Sequence, residues 1–103
     1  MHDRATIKSM RPRDAYGALQ RLRGRLRSEE GLDADTVDTD MTLLEQQLVR
    51  GQVIDATDVM AIAQRVLDEQ RVDPATVHPE LMPALIAGLS AVTGVQPQIF
   101  TAA

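Results

Sequence analysis

The stretch ELMPALIAGLSAVTG, residues 80–94, has no charged side chain after its opening glutamate. A helix places residues three and four apart on one face, so the stretch separates into two faces. Large aliphatic side chains fill the broader face: Leu81, Met82, Leu85, Ile86, Leu89 and Val92. Small residues fill most of the other face: Ala84, Ala87, Gly88 and Ala91. A helix that is apolar all round is normally buried all round, so this helix needs cover on both faces.

The small-residue face is predicted to contact a second copy of the chain. A domain of 103 residues can bury the broad face of the helix, but it has few elements left to cover the other face. Small residues let a second backbone approach closely, and a two-fold axis is the simplest arrangement of two copies. We therefore expect a homodimer whose interface contains Ala84, Ala87, Gly88 and Ala91. The alternative is a central helix that the other helices and the tail of the same chain surround.

Three further amphipathic helices precede this one. They are predicted over residues 13–28, from 36 or 40 to 50, and from 55 to 71, followed by the apolar helix over 79–94. No alternating run is long enough to indicate a strand. The sequence thus predicts an all-α fold, a small four-helix bundle-like domain over residues 13–95. Residues 1–12 are expected to form a flexible N-terminal arm, and residues 96–103 a C-terminal tail.

Composition limits the classes of function. The chain has no cysteine, which excludes disulfides, thiolate zinc sites and cysteine nucleophiles. No stretch reaches the roughly 20 apolar residues of a membrane span, and the first residues lack the apolar core of a secretory signal. We therefore expect a soluble, cytoplasmic protein that does not contact a membrane. Arginine greatly outnumbers lysine and alanine is abundant, which is typical of a GC-rich bacterial gene.

The titratable side chains do not form a catalytic or metal-binding pattern. The aspartate-rich run over residues 33–40 invites comparison with a calcium-binding loop, but the twelfth position is Leu44 where such a loop needs glutamate. The two histidines, His2 and His78, stand alone in the sequence. No phosphate-binding glycine loop, nucleophile elbow or zinc-protease motif is present. We therefore expect no enzymatic activity, no cofactor and no metal.

The arginines of the first predicted helix flank its leucine seam. Arg21 and Arg25 lie on one side of the seam, and Arg23 and Arg27 lie on the other. A helix that follows a phosphate backbone needs its cations on one side. Charges on both flanks of an apolar seam are instead typical of helix pairing. The candidate partners for these arginines are Asp38, Asp40, Glu45, Asp68 and Glu69, in the same chain or in a second copy.

The favoured hypothesis is a non-catalytic protein-binding regulator. Such a protein, of the anti-activator or adaptor type, would occupy a helical or dimerisation surface of its partner, for example to inhibit a transcription factor. In size, acidity and helical pattern, the chain is similar to small bacterial anti-activators, secretion chaperones and adaptor proteins. The candidate anchors are Leu85, Ile86, Leu89 and Phe100, and the candidate steering charges are Arg21, Arg23, Arg25 and Arg27.

Two other hypotheses stay open on the sequence. The first is nucleic-acid binding by the segment 1–28, which holds eight basic and two acidic side chains, whereas residues 29–103 hold three basic and thirteen acidic ones. Against it stand the split arginines and the near absence of aromatic residues on which bases could stack. The second is a chaperone or a structural subunit of a larger assembly.

Overall fold

The computed structural model describes residues 4–28 and 31–96, and every regular element within these two ranges is a helix. The elements in chain order are α1 (Arg4–Lys8), α2 (Pro12–Ser28), α3 (Ala34–Arg50), α4 (Ala56–Val72) and α5 (Leu81–Thr93). A single turn of 3₁₀ helix, Pro74–Thr76, lies between α4 and α5. The prediction of an all-α fold is therefore confirmed for the described residues.

Capping residues determine the ends of three long helices. Asp33 accepts a hydrogen bond from the backbone N–H of Asp35 at 3.2 Å, so α3 begins before the predicted start at residue 36 or 40. Asp55 caps α4 as predicted, and Asp58 completes a capping box with it. Gly94 ends α5 in the left-handed conformation, with φ at 75°, which glycine adopts without steric cost.

Helix α1 docks the start of the described chain onto α3. Ile7 is only 1% exposed and packs in a core cluster with residues of α2 and α3. The side-chain amide of Gln47, on α3, donates to the backbone oxygen of Met10 at 2.8 Å. From Arg4 onward, the segment expected to form a flexible arm therefore contains a helix with a buried anchor.

Two apolar clusters form the core. The first joins α1, α2 and α3 and contains Ile7, Ala15, Ala18, Leu19, Leu22, Val37 and Leu44. The second joins α3, α4 and α5 and contains Leu48, Ala61, Ile62, Val66 and Leu81. Helix α2 packs against both α3 and α4, whereas α5 packs mainly against α4. Helix α5 consequently lies at the edge of the helical assembly.

A buried ion pair, the Arg11–Asp58 clasp, ties the start of α2 to the start of α4. Arg11 donates from Nε and Nη2 to the Asp58 carboxylate at 2.8–3.0 Å. The same carboxylate, whose side chain is fully buried, accepts the backbone N–H groups of Arg13 at 3.0 Å and Ile54 at 2.8 Å. Burial opposes ionisation of Asp58, but these donors prevail and hold its pKa far below the usual value. The clasp therefore fixes the position of α2 relative to α4.

Candidate interaction surface

Gly88 is a point of close contact between α5 and α4. It is buried, and a Cβ atom at this position would lie 3.2 Å from Cγ2 of Val59 and 3.6 Å from Cγ2 of Val53. Such distances leave no room for a larger side chain without movement of a neighbour. The glycine therefore lets the α5 backbone settle against branched side chains of α4 and of the preceding loop.

The predicted dimer interface divides between the core and the surface. Gly88 faces α4 of its own chain, and Ala84 is half-buried against the second core cluster. Ala87 and Ala91 are exposed. The expectation that all four residues face a second copy is thus wrong in its geometry for Gly88 and Ala84, because the close approach that small residues permit is already used within the chain. Whether copies associate is a separate question.

The broad aliphatic face, in contrast, is only partly covered. Leu81 is buried and Leu85 is half-buried against the second cluster, but three large side chains further round the helix remain accessible. Met82 is 46% exposed, Ile86 47% and Leu89 45%. They recur at a spacing of four and three residues, so they form one row along α5. Of the predicted anchors, Ile86 and Leu89 lie in this row, Leu85 lies beneath it, and Phe100 lies outside the described residues.

By helical phase, exposed apolar side chains of α4 lie beside this row of α5 residues. Contacts of Gly88 with Val59 and Ile62 define the side of α4 that faces α5. Helical phase places Met60 and Leu67 beside that contact, on the side away from α3. Met60 is 67% exposed and Leu67 is 47% exposed. We refer to the five accessible side chains as the apolar stripe: Met60, Leu67, Met82, Ile86 and Leu89.

The arginines of α2 do not share one side of the helix. Arg21 and Arg25 line a cleft of about 150 Å³ between α1, α2 and α3, together with the buried carboxylate of Asp40. Arg23 lies on the α4 side of α2, close enough to Tyr16 to act on its ionisation. Arg27 is exposed at the end of α2. The structure therefore does not collect these cations on one surface.

Tyr16 of α2 and Asp68 of α4 form a second link between these helices. The Tyr16 hydroxyl donates to Oδ2 of Asp68 at 2.6 Å, and the Gln64 amide donates to Oδ1 at 3.0 Å. Burial and the neighbouring carboxylate raise the pKa of Tyr16. Burial opposes ionisation of Asp68, but the two donated hydrogen bonds keep its pKa below the usual value. Asp68, a candidate partner for the arginines, is thus engaged mainly by a tyrosine.

Two further candidate acids, Glu45 and Glu69, pair with Arg65 of α4 and not with the arginines of α2. Arg65 is buried, and its Nη2 lies 2.8 Å from Oε1 of Glu45 on α3. Its Nε lies 3.3 Å from the buried Oε2 of Glu69, an ion pair without hydrogen-bond geometry. The backbone N–H of His78 donates to the other oxygen of Glu69 at 3.1 Å. These groups hold α3, α4 and the loop before α5 together, which is a structural role.

Within residues 4–28 and 31–96, no group of three or more acidic, histidine or cysteine side chains is placed to hold a metal ion. His78 is exposed, and its Nδ1 accepts the backbone N–H of Glu80 at 3.2 Å. In the same part of the chain, no helix is long and apolar enough to cross a membrane. The apolar stripe is therefore the feature of this structure that points most directly to a function.

Comparison of the chain with models of known protein families, with curated protein sequences and with solved structures yields no match. The functional argument consequently rests on the geometry and chemistry of the residues themselves.

Proposed function

We propose that the chain is a non-catalytic protein-binding module whose contact surface is the apolar stripe. In the form that the sequence favours, it is a small regulator of the anti-activator or adaptor type, and it acts by covering a helical or dimerisation surface of another protein, such as a transcription factor. The exposure of Met82, Ile86 and Leu89 on a helix without charged side chains supports this proposal. Soluble proteins rarely keep contiguous apolar surface of this kind unless it binds something.

The shape of the stripe suits an amphipathic helix as the bound element. By helical phase, the half-buried Ala63 and Leu85 lie between the row of exposed side chains on α4 and the row on α5. A partner helix with apolar residues at a spacing of three and four could place them between the two rows. Methionine at two of the five positions adds adaptability, because its unbranched side chain adjusts to different shapes.

Site-specific photocrosslinking in cells that naturally make the chain tests this proposal. A photoreactive amino acid replaces Leu89 in the stripe or, as the matched control, Gly24, an exposed residue of α2 with open space around it. We expect covalent protein adducts from position 89 and none, or far fewer, from position 24. Equal labelling from both positions, or no adduct from position 89, would overturn the proposal.

A further inference from the structure

We infer that the apolar stripe is an isologous interface, and that its resting occupant is the same stripe of a second copy of this chain. The inference rests on the proposed function, since it takes the stripe to be a protein contact surface. In the dimer expected from the sequence, the small-residue face meets its copy across the two-fold axis. In the inferred dimer, the large side chains of the apolar stripe meet there instead.

Electrostatics favour a second copy over an unrelated partner. Near a two-fold axis, every charged group meets its own copy at short range, so an isologous contact must be neutral at its centre. A different partner could instead offer complementary charges, and its site would normally carry some. The chain has a net charge of −4, yet no charged residue occurs from Leu81 to the end of the described helix. The electrostatic repulsion between two copies is therefore weakest when they meet through α5.

The area of the stripe matches what a stable dimer needs. A standard interface buries roughly 800 Å² on each partner, of which about 65% is apolar in homodimers, so each copy must supply roughly 500 Å² of apolar surface. The five side chains of the stripe are between 45% and 67% exposed. If the contact covers these five side chains fully, their exposed surface supplies an area of this order.

The spacing of the stripe permits self-complementary packing. Met82, Ile86 and Leu89 follow the four-and-three repeat by which two helices interlock side by side. If two α5 helices run antiparallel and cross at Ile86, then Met82 of one copy lies near Leu89 and Ser90 of the other. Met60 and Leu67 of each α4 would then close the sides of the contact. The result is a compact four-helix contact made of two α4–α5 pairs.

Cysteine trapping tests the position of the axis directly, because the natural chain contains no cysteine. Ile86→Cys places one thiol at the crossing point, and Gly24→Cys places one on exposed α2 as the control. Under mild oxidation we expect the Ile86→Cys chain to form a disulfide-linked dimer rapidly and the Gly24→Cys chain to form it slowly. Comparable rates for the two variants would overturn the inference.

Light scattering over a range of concentrations provides the second readout. We expect the mass of the full chain to rise from 11.3 kDa towards twice this value with concentration. Ile86→Glu should weaken association by about 100-fold, because two carboxylates would meet at the axis, whereas Gly24→Glu adds the same charge elsewhere and should weaken it little. Circular dichroism confirms that each variant is folded.

The two proposals fail in different ways. A chain that stays monomeric at high concentration, while position 89 still captures a different protein in cells, overturns the second copy and leaves the binding function standing. A chain that stays monomeric and yields no adduct at all overturns both. Adducts from position 89 at the mass of two chains, together with rapid Ile86→Cys trapping, support the second copy, whereas the binding function is supported only by adducts that contain a different protein.

Discussion

Two glycines in helices of this chain have opposite roles, and their surroundings explain why. Gly88 lies where α5 meets α4, with Val59 and Val53 within 3.6 Å of any added Cβ. Gly24 lies on the open side of α2, with no atom within 4 Å of an added Cβ. Glycine lowers helix stability wherever it occurs, so only Gly88 has a packing reason to be retained. The sequence alone cannot separate the two cases, because both occur in amphipathic or apolar helices.

Replacing each glycine with leucine should therefore have effects of opposite sign. Gly88→Leu forces α5 away from α4, and we expect the free energy of unfolding to fall by about 2 kcal/mol or more. Gly24→Leu removes the helix penalty of glycine in open space, and we expect a gain of about 0.5–1 kcal/mol. Urea denaturation followed by circular dichroism measures both values at one fixed protein concentration. Equal losses for the two variants would show that α5 does not sit on α4 through Gly88.

The Arg11–Asp58 clasp predicts how stability depends on pH. The pKa of Asp58 lies far below its usual value in the folded chain. The hydrogen bond from Thr57 and the ion pair with Arg11 at 2.7 Å lower the pKa of Asp55 to about 2. The unfolded chain therefore binds protons first as the pH falls. The stabilisation is fully present above pH ~5 and is lost progressively as the pH falls through the folded pKa values.

Asp58→Asn should remove most of this pH dependence. The variant puts an amide where Nε and Nη2 of Arg11 and the backbone N–H groups of Arg13, Ile54 and Asp55 need an acceptor. We expect the free energy of unfolding at pH 7 to fall by about 3 kcal/mol, with a smaller slope between pH 5 and pH 2. Asp38→Asn, at an exposed position of α3, is the control and should change stability by less than about 0.5 kcal/mol. An unchanged acid slope in Asp58→Asn would assign the effect to other carboxylates.

At the scale of the helices, sequence periodicity predicts where a helix forms better than it predicts which side of that helix is buried. The four long helices occur where the apolar spacing indicates them, and Asp55 and Gly94 end or begin them as expected. The sequence does not show which side of α5 faces α4, since both sides are apolar and either could be buried. The choice depends on close packing at Gly88, where an added Cβ would lie 3.2 Å from Cγ2 of Val59, a distance that a larger residue could accept only if its neighbour moved.

The sequence also does not predict which residues form long-range polar contacts. Asp58 is visible in the sequence as the third residue after an N-cap, which is the position that completes a capping box. Its partner Arg11 lies 47 residues away, and no local pattern connects the two. Helix α1 was missed for a similar reason, because five residues are too few for periodicity to appear, and its stability depends on the burial of Ile7.

Neighbouring positions on α5 should respond differently to truncation. Leu81 is 2% exposed in the second core cluster, so Leu81→Ala should lower the free energy of unfolding by about 3 kcal/mol. Met82, one residue on, belongs to the apolar stripe, and Met82→Ala should cost the single chain less than about 1 kcal/mol. Chemical denaturation in dilute solution gives both numbers. A larger loss for Met82 than for Leu81 would mean that α5 is rotated from the orientation described.

At the scale of the whole molecule, the uneven charge distribution has an internal explanation. Residues 4–28 of the basic segment pack on acidic helices: Arg11 binds Asp58, and the cleft that Arg21 and Arg25 line also contains Asp40. The cations are spread over several sides of α2, which does not suit binding along a phosphate backbone. The charge asymmetry thus helps to assemble α2 with α3 and α4. The uncharged surface of α5 takes no part in these ion pairs, and it is the surface that we propose contacts another chain.

Hydrogen exchange should reveal that the helices are not equally stable. Helix α4 packs against α2, α3 and α5, and polar clasps hold it to α2 and α3, whereas α5 rests mainly on α4 through apolar contacts on one side. We therefore expect the amides of Leu81–Thr93 to exchange through a local opening of lower free energy than those of Ala56–Val72 in dilute solution. Mass spectrometry of peptides from each helix, at increasing urea, measures this difference. At concentrations where two copies associate, exchange should slow in α5 and stay unchanged in α2, since α5 and the exposed side of α4 gain cover and α2 does not. Equal protection of α4 and α5 at every concentration would contradict the idea that α5 opens more easily than α4 and is covered by a second copy.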